Sequence, residues 1–156
     1  MKTIAKGLVQ SVKQWAADRA LSTGDQPMSI LVVDDEESIR RYVDRVLTEA
    51  GYRTTLAVDG ADAIAVAARS GRFDLLLTDV VMPLMTGAEL ALRLRQDDPA
   101  LKVLYLTGYS DRLFAEKLGL CEEEAFLEKP CSVAGLLEAV SLAITGRVGV
   151  GIKAIP

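Results

Sequence analysis

Three aspartates, one threonine and one lysine stand out as residues able to do chemistry together. Asp34 and Asp35 follow an apolar run at 29–33, Asp79 follows Leu75, Leu76 and Leu77, Thr107 follows the run at 101–106, and Lys129 follows 125–127. Each run is apolar without alternation and bounded by turn residues, the pattern of a strand buried on both faces. Neighbouring parallel strands lie about 4.8 Å apart, so residues at the ends of successive strands can converge. Carboxylates brought that close repel one another. A hard divalent cation such as Mg²⁺, which takes oxygen ligands in octahedral geometry, relieves that repulsion. The hydroxyl and the ammonium add a hydrogen-bond donor and a positive charge.

Taken singly, these signals are bland. Acids at 34–37 suit any helix N-terminus, Thr107 suits a strand end, and Lys129 reads as a surface lysine. Their coincidence at strand ends gives them meaning, because ligands of open α/β sheets bind at the carboxyl ends of the strands.

The elements that must position these residues alternate. Strands are predicted at 29–33, 52–58, 73–79, 101–106 and 125–127. Helices are predicted at 36–50, 59–69, 86–96, 110–118 and 132–145. Asp59 and Ser132 are placed as N-caps, Thr86 and Glu89 have capping-box spacing, and Gly51 supplies a helix stop. Such alternation implies a five-stranded parallel sheet covered by helices.

Asp34, Asp35, Asp79, Thr107 and the pair Lys129–Pro130 resemble the signature of response regulator receiver domains. The spacing agrees: 44 residues separate Asp35 from Asp79, and 22 separate Thr107 from Lys129. The likeness covers about 28–144, and DVVMP and LTGYS are similar to receivers attached to hybrid sensor kinases. It implies a flavodoxin-like sheet of order 2-1-3-4-5. Asp79 becomes the phosphoacceptor, charged by a histidine kinase or a histidine phosphotransfer protein. Asp35, Asp79 and the Val81 backbone carbonyl become direct Mg²⁺ ligands, and Asp34 assists through water. Lys129 and Thr107 contact the phosphoryl group, and Lys129–Pro130 is expected to be a cis peptide bond.

The resemblance further implies a switch. Thr107 moves toward the phosphoryl group, Phe126 swings inward, and the responsive face runs from the fourth predicted helix through the fifth strand to the last helix, roughly 110–139. A packed core phenylalanine is the alternative for Phe126. Val81 and Tyr109 flank the route of a hydrolytic water and predict slow dephosphorylation, while Gly108 leaves an open side for a donor histidine.

Composition sets limits. The chain has 156 residues, half of them hydrophobic, enough for one domain and its core. A net charge of −4 argues against a nucleic-acid surface. With no histidine, the chain cannot be a histidine kinase or a phosphotransfer protein, so the donor is another molecule. No stretch approaches the roughly 20 apolar residues of a membrane span, no secretory signal is evident, and Cys121 and Cys131 lack metal-motif spacing. The expectation is a cytoplasmic protein with reduced cysteines.

Residues 1–27 stand outside the receiver reading of 28–145, as does the tail 146–156. In the first segment Ile4, Leu8, Val12 and Trp15 recur at helical spacing. It carries +2 and the remainder −6. An extra amphipathic helix is expected there, docked on its own domain, pairing in a homodimer or with a partner, or lying on a membrane surface. For function, a stand-alone response regulator is weighed against the receiver portion of a larger hybrid kinase. A dehalogenase-like phosphatase would need a DxD pattern at the first strand, and a flavodoxin-like cofactor binder would need a phosphate-cradling glycine loop; neither is present.

Overall fold

The structure is a computed structural model, and it describes residues 26–108 and 125–145. Strands are β1 (Ser29–Val33), β2 (Arg53–Ala57), β3 (Leu75–Asp79), β4 (Lys102–Thr107) and β5 (Ala125–Glu128). Helices are α1 (Glu37–Glu49), α2 (Gly60–Ser70), α3 (Gly87–Asp97) and α4 (Val133–Thr145). The predicted helix at 110–118, the helix at 1–27, the homodimer expected through it, and the tail lie outside the described residues, as do Tyr109 and Cys121.

The strands form one parallel sheet of order β2-β1-β3-β4-β5, as expected. Side chains alternate across its faces with period two. Ile30, Val32, Leu75, Leu77, Leu104 and Leu106 join one core with α1 and α4. Leu31, Val33, Leu76, Val103 and Tyr105 join the other with α2 and α3. All five residues of β3 are buried, so the central strand has a fixed register, and a slip by one residue would exchange its two faces.

Local signals set the helix ends. The Asp59 carboxylate accepts a hydrogen bond from the Asp62 amide at 2.8 Å, the Ser132 hydroxyl accepts one from the Gly135 amide at 3.0 Å, and Thr86 with Glu89 forms the full capping box. Gly51 closes α1 with φ of 94°, and its amide reaches the Thr48 carbonyl at 3.1 Å. The predicted strand at 52–58 is shorter than expected: Tyr52 and Val58 fall outside β2, because the Tyr52 amide is turned back to the Leu47 carbonyl at 3.0 Å and the Val58 amide to the Asp62 carboxylate at 3.0 Å. Among the described residues no helix is long and apolar enough to cross a membrane.

Candidate functional site

The carboxyl ends of β1, β3, β4 and β5 bring the predicted residues together. Carboxylate oxygens of Asp34, Asp35 and Asp79 lie within 4.8 Å of one another. Asp34 is fully buried and Asp79 is 4% exposed, whereas Asp35 is exposed. From β5, the Lys129 ammonium lies 2.8 Å from Asp34 Oδ2 and 3.4 Å from Asp79 Oδ2. Burial alone would lower the pKa of Lys129. The hydrogen bond to Asp34 and the negative charges of Asp79 and Asp34 outweigh that effect and hold it above the ordinary 10.5.

Several backbone contacts fix this arrangement. The Lys129 amide donates to the Thr107 carbonyl at 2.8 Å, tying the ends of β5 and β4. The Lys129–Pro130 peptide bond is cis, as expected. Asp34 Oδ1 accepts from the Glu36 amide at 2.9 Å, and the Arg40 guanidinium donates to the Asp34 carbonyl at 2.6 Å. The turn after Asp79 passes through Leu84, whose φ of 68° places a non-glycine residue in the left-handed region. It returns to α3 through Gly87, whose amide donates to the Val80 carbonyl at 2.9 Å. A Cβ at Gly87 would lie 2.2 Å from the Asp79 carbonyl oxygen, so the close approach of α3 to the end of β3 requires glycine.

Thr107 is 1% exposed, and among the described residues its Oγ1 has no hydrogen-bond partner. A buried hydroxyl normally has one, so this atom faces a place where an acceptor belongs. Val81 is 40% exposed at the rim of the site, and Gly108 follows Thr107 beside it. Phe126 lies further from the carboxylates. It is half-buried and stacks on Tyr105 at 5.2 Å between ring centroids. Among the described residues Cys131 is a free thiol, which burial holds above its ordinary pKa of 9.0.

The donor set fits a hard cation. Mg²⁺ binds oxygens at about 2.0–2.1 Å, so opposite ligands stand about 4.2 Å apart. A spread of up to 4.8 Å accommodates two direct carboxylates and a third acting through water. Asp34, already engaged by Lys129, suits the water-mediated place.

A model of the family described as response regulator receiver domain matches residues 30–141. The chain belongs to this family. The receiver is 34% identical over 111 residues to the response regulator receiver protein CpdR of Brucella abortus, a match covering 71% of this chain and 92% of that protein. It is also 34% identical to the sensor kinase CckA of the same organism, with 72% of this chain covered but only 12% of the kinase. It is 38% identical to the probable transcriptional regulatory protein TcrX of Mycobacterium tuberculosis, of which the match spans 46%. Among solved structures, a response regulator receiver protein from Sinorhizobium medicae superposes with a TM-score of 0.69 at 29% identity, covering 78% of this chain and 98% of that one. Vibrio cholerae CheY4 superposes with a TM-score of 0.64 at 31% identity, covering 76% and 99%.

Sequence reasoning missed two residues that shape this receiver's site, and read a third, Gly87, only as part of the turn after Asp79. No sequence signal singles out Arg40 or Tyr42 on α1. The Arg40 contact to the Asp34 carbonyl and the Tyr42 hydroxyl donating to the Cys131 carbonyl at 2.9 Å depend on tertiary placement. Gly87 left a readable trace, since a glycine just inside a capping box is not needed for the helix itself.

Proposed function

We propose that this receiver domain accepts a phosphoryl group on Asp79 from a phosphohistidine donor, a histidine kinase or a histidine phosphotransfer protein. The observation that carries this reading is the placement of Lys129 against Asp34 and Asp79 beside an unpartnered, buried Thr107 hydroxyl. The match spanning nearly all of CpdR supports treating 28–145 as a functional unit.

An Asp79 carboxylate oxygen attacks phosphorus, a P–O bond forms, and the P–N bond to the donor imidazole breaks. The freed ring nitrogen keeps the bonding pair and takes up a proton. Phosphoryl transfer asks the protein chiefly for position and charge compensation. Lys129 supplies a cation to one phosphoryl oxygen and the Thr107 hydroxyl a hydrogen bond to another. Asp35, Asp79 and the Val81 carbonyl would hold Mg²⁺, with Asp34 acting through water. When bound, the ion neutralises the carboxylates and the developing phosphoryl charge. The chain is thus a phosphoacceptor and not a turnover enzyme.

Drawing the Thr107 hydroxyl toward the phosphoryl group opens space behind it. Phe126 is the aromatic that responds by shifting off Tyr105, and a downstream protein reads the changed face. Incubation with Mg²⁺ and acetyl phosphate, followed by intact mass, tests the acceptor chemistry. A single added phosphoryl group that fails to form with EDTA is expected. No gain in mass with Mg²⁺ present would overturn the reading.

A further inference from the structure

Leu84 combines two features that cost the fold and return nothing to it. Its side chain is fully exposed, and its φ of 68° puts a residue with a Cβ in the left-handed region. The Met85 amide donates to the Pro83 carbonyl at 2.8 Å across it, so Leu84 is the apex of a γ-turn of the strained hand. Strain of this kind persists only where the surrounding structure imposes it, and it clusters at binding and catalytic sites.

The surroundings do impose it. On one side Met82 is buried, and on the other Met85 packs against the same core. The Gly87 amide closes the loop on the Val80 carbonyl at 2.9 Å, and Thr86 starts α3 with its capping box. With both flanks anchored inward, the backbone beneath Leu84 is fixed and its side chain projects as an apolar knob. A group presented in this way loses little further entropy on binding.

The knob stands at the carboxyl edge of the sheet, on the loop that leaves Asp79. Val81, 40% exposed, lies on the same loop, and Val58, 48% exposed, lies on the turn after β2. That turn touches the loop, for a Cβ at Gly60 would lie 2.6 Å from Met85 Sδ. Three of the six large apolar side chains exposed among the described residues thus gather on the α2 and α3 side of one edge. Such gathering, unlike scattered exposure, marks an interaction surface. The α1 side of the same edge presents the exposed acids Glu36 and Glu37.

We propose that Leu84 is a docking residue for the protein phosphodonor, seated in an apolar recess beside the donor's phosphohistidine. The inference rests on Asp79 as the acceptor. In-line transfer brings the phosphorus to within about 3–3.5 Å of the attacking carboxylate oxygen, so the donor surface around its histidine must lie across the rim from which Leu84 projects. That surface is apolar where it covers Leu84 and basic where it faces Glu36 and Glu37, which fixes its orientation. Acetyl phosphate has no surface to place there and is indifferent to Leu84.

Leu84→Asn and Leu84→Gly remove the apolar side chain and suit a positive φ, whereas Leu84→Met keeps the apolar bulk. Each is phosphorylated by acetyl phosphate and by a protein donor, the histidine-phosphorylated kinase or phosphotransfer protein of the source organism that transfers fastest to wild type. Loss of a buried leucine should lower kcat/KM for the protein donor about tenfold in Leu84→Asn and Leu84→Gly, chiefly through KM, and leave Leu84→Met within about twofold. Rates with acetyl phosphate should match wild type in all three, and the melting temperature of Leu84→Asn should not fall. Equal kcat/KM for the protein donor in every variant, with acetyl phosphate labelling intact, overturns the docking role alone. So does transfer from none of these donors, a Leu84→Asn melting temperature several degrees lower, which makes Leu84 a support of its own loop, or a wild-type dimer that Leu84→Asn dissociates in sedimentation, which makes a second copy the occupant. A wild type that acetyl phosphate and Mg²⁺ do not label fails the acceptor reading itself and takes the docking role with it.

Discussion

The Lys129 ammonium is closer to Asp34, at 2.8 Å, than to Asp79, at 3.4 Å. The lysine is therefore stored on the carboxylate that is not the proposed acceptor, within reach of the one that is. Lys129→Ala should leave Mg²⁺ binding intact or tighter, because a competing cation is removed. It should slow phosphorylation from acetyl phosphate by an order of magnitude or more. Calorimetric Mg²⁺ titration and timed intact mass check the two halves, and parallel losses of both would argue against the assigned role.

Asp34 and Asp35 should separate fold stability from metal affinity. Asp34 is fully buried and holds both Lys129 and the Glu36 amide, while Asp79 stays within 3.4 Å of the ammonium, so Asp34→Ala loses two hydrogen bonds but relieves carboxylate repulsion and should cost about 1 kcal/mol. Asp35 is exposed, and Asp35→Ala should leave apo-protein stability within about 0.5 kcal/mol while weakening Mg²⁺ binding more than Asp34→Ala does. Urea unfolding and metal titration of the two variants provide the comparison.

Gly87→Ala tests the support beneath the acceptor. The added methyl would meet the Asp79 carbonyl oxygen at 2.2 Å, a backbone atom that cannot swing aside. Overpacking of this kind costs about 1–3 kcal/mol, so thermal unfolding should move down and phosphorylation should slow as the end of β3 shifts. An unchanged melting temperature would mean that α3 yields more easily than its capping box implies.

Much of this architecture was legible locally. Leu75, Leu76 and Leu77 announce a doubly buried strand, and Asp59, Ser132 and the Thr86/Glu89 pair announce helix starts, because each signal resides in residues a few positions apart. The site residues were legible as strand-end positions and through the family spacing. What escaped was their pairing. That Lys129 rests on Asp34, that Arg40 clamps the Asp34 carbonyl, and that Tyr42 reaches a carbonyl 89 residues away follow from how the ends of β1 and β5 converge and from how α1 packs against β1, β2 and α4. No local propensity encodes that packing.

Alkaline pH should destabilise the fold. Cys131 and Tyr42 are held above their ordinary values of 9.0 and 10.0, chiefly by burial, and Lys129 above 10.5 by its carboxylate partners, which overcome its burial. Each group keeps its proton longer in the folded state than in the unfolded state. The stability they contribute is therefore complete below the lowest unfolded value and declines as pH rises through each folded one. Melting temperatures should hold level up to about pH 9.0 and fall beyond it, with a shallower fall in Tyr42→Phe and Cys131→Ser.

The lifetime of the phosphorylated form should be long. Val81 is apolar and 40% exposed at the rim, so it gives an attacking water no polar group on which to align. Val81→Asn, alone and with Tyr109→Glu, should release phosphate several-fold faster once the donor is removed. Faster release by wild type than by both variants would contradict this.

The most direct test is to locate the phosphoryl group. After treatment with Mg²⁺ and acetyl phosphate, borohydride reduces an aspartyl phosphate to homoserine, and peptide mass mapping identifies the residue changed. Conversion confined to Asp79 in wild type, with none in Asp79→Asn, is predicted. Conversion at Asp34 or Asp35 in wild type, or phosphorylation of Asp79→Asn at the wild-type rate, would contradict the account.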